Sequence, residues 1–337
     1  MTKTLRWMRP VAFSIAVVMT GFVGVVADAT SAAATISQDF GPVVITDVPP
    51  TPRDPDLPAT QKVVHLATVD TPMAAGSTAY VYSELRAYNA DQVNLIDNEV
   101  RCAGAGASNV VMGENMLPPP GDPAHRDIRI VTRFLVSATT SGTLTCKLYL
   151  RTASTSYEAG RETVEGTLRF ASTSVGEDVN GLAVQKSLPV GNPAVISSIT
   201  APVIDRTLPS GYSRLAVIAD VEYHRCAGNP ACAYGYSKAR FTLTVTTSGG
   251  TGCASAPVAQ TEETVATGVN HAAVPLYTIV PLGPGCTHVH AQVTTTHLAG
   301  DVGSVGGAAA GLTDSTGQSG SSPNHTSAMT HLFAVPS

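Results

Sequence analysis

Tryptophan is nearly missing from this chain: its single copy, Trp7, sits in an N-terminal apolar segment, and aromatic residues make up 5% of the whole. A site that stacks sugar rings on broad aromatic planes is therefore disfavoured. Charge is scarce as well, at 13%, with 20 basic residues against 25 acidic ones. Without a basic face, nucleic acid and anionic membrane surfaces are poor partners. No paired CxxC, HExxH, Gly-Lys-Ser/Thr loop or dinucleotide fingerprint occurs, so no cofactor is expected. Gly104 and Gly106 sit among alanines after a strand but lead to no helix, and Gly317-Gln318-Ser319-Gly320 has Ser321 where G-x-S-x-G ends in Gly. Beyond residue 34 no apolar run has helical spacing. Thr, Val, Ala, Gly and Ser dominate instead, a composition suited to short twisted strands.

The N-terminus is the first informative segment. Lys3, Arg6 and Arg9 precede an apolar run from Val11 to Val26, and small residues continue to Ala34. That is the build of a secretory signal peptide over residues 1–34, with cleavage expected after Ala34. The 16-residue run is short of the roughly 20 residues of a spanning helix. The expectation is a secreted, extracellular protein with no stable membrane insertion. Removing Lys3, Arg6, Arg9 and Asp28 with that segment leaves 17 basic and 24 acidic residues, a net charge near −7, and no tryptophan. The Ala, Thr, Val and Gly bias is that of a high-GC bacterial exported protein.

Some 303 residues then remain, more than one hydrophobic core usually holds, so two domains are expected. Residues 35–60, with five prolines between Val48 and Pro58, read as a Pro-rich spacer or wrapped edge segment. Alternating runs broken by turn residues predict strands over Lys62–Val69, Thr78–Tyr88, Leu95–Cys102, Ile128–Ala138, Leu144–Arg151 and Gly166–Ser172, with a long loop between Cys102 and Ile128. Further strands are predicted over Leu215–Tyr223, Val274–Val280, Thr287–His297 and Met329–Val335. Residues 300–322 are Gly/Ser-rich and predicted as a loop. The expected architecture is all-β: two tandem antiparallel β-sandwich, Ig-like domains, at 61–175 and 190–337.

A repeated line of text suggests internal duplication. RFLVSATTSGTLTC (Arg133–Cys146) aligns without gaps with RFTLTVTTSGGTGC (Arg240–Cys253), and RCAG recurs at Arg101–Gly104 and Arg225–Gly228. Strand alternation points Cys102 and Cys146 inward, which predicts a buried Cys102–Cys146 disulfide. Duplication would then pair Cys226 with Cys253 and Cys232 with Cys286. Against it, alternation from Leu215 puts Cys226 on the face opposite Val217 and Val221 unless a bulge intervenes. A tight Cys226–Cys232 loop with Cys253–Cys286 is the competing pattern. Six cysteines in an exported chain read as three disulfides in any pairing.

Chemistry is thinly signalled. His288 and His290, two apart on a strand, project from one face and could share a metal ion with a third ligand from His224, His271, His325 or His331. They read equally as a solvated stripe with Gln292 and Thr294, beside an apolar face of Val289, Ala291 and Val293. Asp97 with Glu99, and Asp220 with Glu222, are same-strand carboxylate pairs. They are wrongly spaced to flank a glycosidic bond and are expected on outward polar faces. Tyr80, Tyr82 and Tyr88 share a face, while Tyr234 and Tyr236 form a second group beside the Cys226–Cys232 loop and could make a small binding platform. Asn324-His325-Thr326 is a glycosylation acceptor pattern.

The expected function is a secreted non-catalytic module, binding, adhesive or structural, that presents loops to an extracellular protein or glycan. One alternative is a secreted hydrolase, with its site at the domain junction or metal-dependent around His288 and His290. Another is an inhibitor of extracellular enzymes that uses the Cys226–Cys232 loop.

Overall fold

The computed structural model describes residues 36–50, 61–116, 127–154, 157–173, 177–179, 186–188, 197–226, 232–267, 269, 271–306, 308–309, 327–328 and 330–336. The expected signal peptide, most of the Gly/Ser-rich stretch and Asn324 lie outside the described residues. Among those described, every regular element is a strand.

The first half contributes β1 (Ile36–Val48), β2 (Lys62–Met73), β3 (Thr78–Asp91), β4 (Leu95–Gly104), β5 (Ser108–Asn115), β6 (Ile128–Ser137), β7 (Gly142–Ala153) and β8 (Gly160–Thr173). They form the order β1-β8-β3-β6 in one sheet and β5-β4-β7-β2 in another, with these eight strands antiparallel to one another wherever they pair. Consecutive strands swap sheets except β4 and β5. That order is the eight-stranded jelly roll. It differs from the expected Ig-like plan, in which the first two strands pair as a hairpin within one sheet.

The inner faces follow the predicted alternation. Val100, Cys102, Phe134, Val136, Leu144, Cys146, Leu148, Leu168 and Phe170 meet in one apolar cluster, and Ile45, Leu85, Ile96, Met112, Ile130, Leu150 and Val164 in a second. A fully buried Asn98 also points inward: it accepts from Ser83 Oγ at 2.9 Å and donates through Nδ2 to the Ile130 carbonyl at 3.1 Å. It thereby ties the two sheets together with directed bonds.

The second half adds β9 (Glu177–Val179), β10 (Lys186–Ser187), β11 (Ser198–Thr207), β12 (Arg214–Arg225), β13 (Tyr236–Ser248), β14 (Ala259–Ala266), β15 (His271–Pro281), β16 (His288–Gly300), β17 (Gly303–Val305), β18 (Ala308–Ala309), β19 (Ser327–Ala328) and β20 (His331–Pro336). One sheet is β11-β16-β13-β14; the other is built on β12, which pairs with β15 on one side and with β20 and β17 on the other. Phe241, Leu243 and Val245 of β13 and Val289, Ala291 and Val293 of β16 pack on Val217, Ala219, Val221 and Tyr223 of β12. The halves also trade strands: β9 and β10, from the connection between them, pair with β20 and β17, while β19 extends the sheet of β5 in parallel.

Several strands escape the sequence pattern, four of them of eight or more residues. β5 occupies part of the expected loop after Cys102. β1 occupies half of the expected spacer, and it is hard to see because it is an edge strand whose residues are largely exposed. β11 and β14 are likewise mostly polar or exposed edge strands. Part of the expected Gly-rich loop is also ordered, as β17.

The predicted Cys102–Cys146 bridge is present, between directly opposed residues of β4 and β7 with a Cα separation of 4.0 Å. The pairing expected from duplication is not: the bonds are Cys226–Cys232 and Cys253–Cys286. Cys226 lies beyond the end of β12. Cys253 lies in a turn where Gly250 and Gly252 press against Gly285 and Gly283, so close that a Cβ on Gly250 would lie 2.3 Å from backbone atoms of Gly285. Glycine is required for that approach, and it brings Cys253 to Cys286. The similar segments are likewise not in equivalent places. Arg133–Cys146 runs from β6 through a turn into β7, whereas Arg240–Cys253 follows β13 and ends in that turn. A Thr-rich strand followed by a Ser-Gly turn is common to both, which is what the alignment detects.

Glu162 is an exception inside the first core. It is 1% exposed, faces the cluster of Ile45 and Val164, and neither carboxyl oxygen has a hydrogen-bond partner. Burial pushes its carboxyl up to about 7.

Two outcomes follow from this architecture. Closing a loop of separation 44 constrains the unfolded chain more than closing one of separation 6. Guanidinium titrations should therefore show Cys102→Ala/Cys146→Ala losing roughly 4 kcal/mol and Cys226→Ala/Cys232→Ala roughly 2 kcal/mol. Because the Glu162 pKa is raised on folding, its contribution is fully present below the ordinary carboxylate pKa and is lost as pH rises through about 7. Glu162→Gln should recover on the order of 3 kcal/mol at pH 8 relative to pH 4, read as a flatter melting-temperature profile over that range.

Candidate functional site

β12 is apolar on its inner face through Leu215, Val217, Ala219, Val221 and Tyr223, so its alternate residues Ile218, Asp220, Glu222 and His224 face outward. Ile218, Asp220 and Glu222 do not meet water. Ile218 packs with Phe333 of β20 against Leu135 on the outer face of β6. Asp220 and Glu222 are each 1% exposed. The carboxylate pairs expected on solvated faces are thus buried where the two sandwiches meet, and Asp97 (6%) and Glu99 (1%) on the outer face of β4 are buried too.

Asp220 takes the Arg133 guanidinium in a close ion pair and accepts the Arg133 backbone N–H at 3.2 Å, with His331 Nε2 at 3.4 Å. Burial alone would raise the Asp220 carboxyl, but the Arg133 charge and these contacts hold it below the usual carboxylate range. Two residues on, one Glu222 oxygen accepts the Gly113 N–H of β5 at 3.0 Å. Asn115, also on β5, accepts the His271 N–H of β15 at 3.0 Å.

Beside these contacts lies a cluster of donor atoms. His224 and His271 are directly opposed on β12 and β15, with ring centroids 5.5 Å apart, and Glu222 sits two residues before His224 on the same face. Glu222 Oε1 is 3.3 Å from His224 Nε2. One ligand atom from each of the three residues lies within 4.8 Å of the others, the one such group among the described residues. Asp97 approaches from the other sandwich, 3.8 Å from His271 Nε2. Burial holds the His271 imidazole down at about 4 and pushes the Asp97 carboxyl well above its ordinary value. Two imidazoles and a carboxylate are a donor set for a zinc-class cation.

The residues singled out in the sequence are elsewhere. His288 and His290 are partly exposed on β16, and His288 Nε2 lies in close hydrogen-bonding contact with Asp205 of β11, whose other oxygen is 3.9 Å from His290 Nδ1. None of the other histidines considered with them comes there: His224 and His271 meet each other, His331 meets Asp220, and His325 lies outside the described residues. Tyr234 and Tyr236 are 53% and 38% exposed. Next to them, the buried Asp301 carboxylate accepts Arg225 Nε at 2.9 Å and the N–H groups of Tyr234 and Gly235 at 2.7 and 3.0 Å. One buried carboxylate therefore anchors both feet of the Cys226–Cys232 loop. Tyr80 packs on Phe333, while Tyr82 lies under Arg169 and Tyr88 under Arg86.

The sequence did carry a signal for the buried face: Leu215–Tyr223 reads LAVIADVEY, nearly continuous in apolar residues, which is the mark of a strand covered on both sides. Glu222 and His224 fall on it at a spacing of two. Nothing local to residue 271 marks His271 as their partner.

No known protein family matches this chain, and no curated protein does. Among solved structures, a chain from "The Triple Jelly Roll Fold and Turret Assembly in an Archaeal Virus" is similar at 8% identity with a TM-score of 0.20. The match covers 80% of this chain and 59% of that one, so this chain spans less than two thirds of its length. Strand order, not that likeness, establishes the fold.

Asp220→Asn would leave Arg133 buried without a counter-charge, and chemical denaturation should show a loss of about 3–5 kcal/mol. The equivalent change at the exposed Asp205, Asp205→Asn, should stay within about 1 kcal/mol.

Proposed function

We propose that this chain is an exported, non-catalytic binding module: two jelly-roll units, related by duplication, that hold the two ends of a disulfide-closed segment and present Tyr234 and Tyr236 to an extracellular protein or glycan. Duplication is supported by connectivity: β11-β16-β13-β14 repeats the order of β1-β8-β3-β6, and β12 pairs β15 as β2 pairs β7. In both halves the first strand carries a bulge at an X-Pro step, between Phe40 and Val43 and between Thr200 and Val203. The second unit has the turn of residues 249–258 where the first has β4 and β5. Export is supported by the signal-like leader and three disulfides. No helix of the described residues is long and apolar enough to cross a membrane.

The observation that carries the binding reading is Asp301. Tyr234 and Gly235, held through their backbone N–H groups by one buried carboxylate beside a disulfide, lose little freedom when a partner docks, and tyrosines supply contact area at low entropic cost.

Sedimentation with insoluble cell-wall material and a glycan array would test this, using the purified protein and Tyr234→Ser/Tyr236→Ser. Retention that falls about 10-fold or more in the double variant is expected, as for loss of an interface anchor. No retention on either, together with turnover on ester, peptide or glycoside panels, would replace the reading with the hydrolase alternative.

A further inference from the structure

The cluster on the outer face of β12 has no part in the tyrosine reading and points to a separate site. Its three donors are placed by strand geometry alone: antiparallel pairing sets His224 opposite His271, and period two sets Glu222 on the same face. Tetrahedral bonds of about 2.0–2.2 Å put ligand atoms roughly 3.4 Å apart. The Glu222–His224 pair stands at 3.3 Å, so closing the rest of the set from 4.8 Å needs only side-chain adjustment.

Three further observations favour a cation there. Nε2 of His224 and Nε2 of His271 are buried, aimed into the cluster and without a hydrogen-bond partner, although His271 is 9% exposed as a residue. Buried polar atoms left in that state call for an occupant. Glycine at 113 keeps the space open: a Cβ there would lie 2.3 Å from Asp97 Oδ1 and 2.9 Å from His271 Nε2. The Gly113 N–H orients the second Glu222 oxygen, and Asn115 fixes the His271 backbone, the outer contacts that ligands of a metal need.

We propose that Glu222, His224 and His271, with Asp97 of the first sandwich as the fourth donor, bind one zinc-class divalent cation that clamps the two sandwiches together. Two imidazoles disfavour magnesium and calcium, which take oxygen donors. Ligands from both sandwiches make the role a structural clamp.

The test uses the full-length secreted chain, stripped with chelator and titrated with zinc chloride, magnesium chloride and cobalt(II) chloride. Expected are one zinc per chain with a dissociation constant on the order of 0.1 µM or below, no response to magnesium, and visible absorption of tetrahedral cobalt(II). Saturating zinc should also raise the melting temperature by about 5 °C. His224→Ala/His271→Ala should weaken zinc binding by roughly 100-fold or more, while His288→Ala/His290→Ala leaves it unchanged. If the first variant does not fold, the cobalt spectrum and zinc stoichiometry of the unaltered protein decide. Absence of stoichiometric zinc and of tetrahedral cobalt absorption, or loss of binding only on changing His288 and His290, would overturn the site. Either result leaves the Tyr234 and Tyr236 test unaffected.

Discussion

Burial of the second face of β12 is the constraint on which the rest of this molecule depends. An ordinary sandwich strand has one wet side, and its charged residues there contribute little. Here the outward residues Ile218, Asp220 and Glu222 are covered by β5 and β6 of the other sandwich. Each carboxylate must then find a fixed donor, because an unpaired buried charge is costly. Asp220 has the side chain and backbone of Arg133; Glu222 has the Gly113 N–H. These directed bonds set the register of one sandwich on the other more narrowly than apolar contact would.

Much of the strand layout was legible because alternation is a direct physical consequence of the pleat. Val100 and Cys102, Leu144 through Leu150, and Leu215 through Tyr223 all show their inner faces in the sequence, and the Cys102–Cys146 bridge followed from two such patterns agreeing. Illegible were strands such as β1 and β11, which lie at sheet edges with few buried residues and so leave no periodic trace. The pairing of the later cysteines matches the competing pattern that alternation at Cys226 favoured, but the sequence could not decide it, for a different reason. It depends on glycine-to-glycine contact between the turns at 250–252 and 283–285, a non-local approach with no sequence period.

The donor cluster was half visible. Glu222 lies in a run apolar enough to signal burial on both sides, with His224 following at strand spacing, yet Glu222 was expected on a polar outward face because a lone sandwich would expose it, and His224 was considered only as a third ligand for His288 and His290. His288 and His290 have the same spacing and do lie at the surface, with Asp205. The difference between the two pairs is thus not in their own residues but in what covers them, which only the packing of one half on the other determines. The repeated RF-to-Cys lines illustrate the same point: similar words, one spanning β6 and β7 and the other ending in a turn.

The placement of β20 has a bearing on how the molecule comes into being. That strand is wedged between β12 and β9 and supplies Leu332 and Ala334 to the second core as well as His331 beside Asp220. As the chain is delivered from its N-terminus, β12 must wait through β13, β14, β15 and β16 with one edge open. Its last neighbour, β20, arrives only after the intervening residues have been delivered, and closing that separation costs entropy that must be met before any contact rewards it. Assembly of the second sandwich is therefore a late, whole-chain event, and the exposed edge of β12 during that interval is where misassociation between nascent molecules would begin.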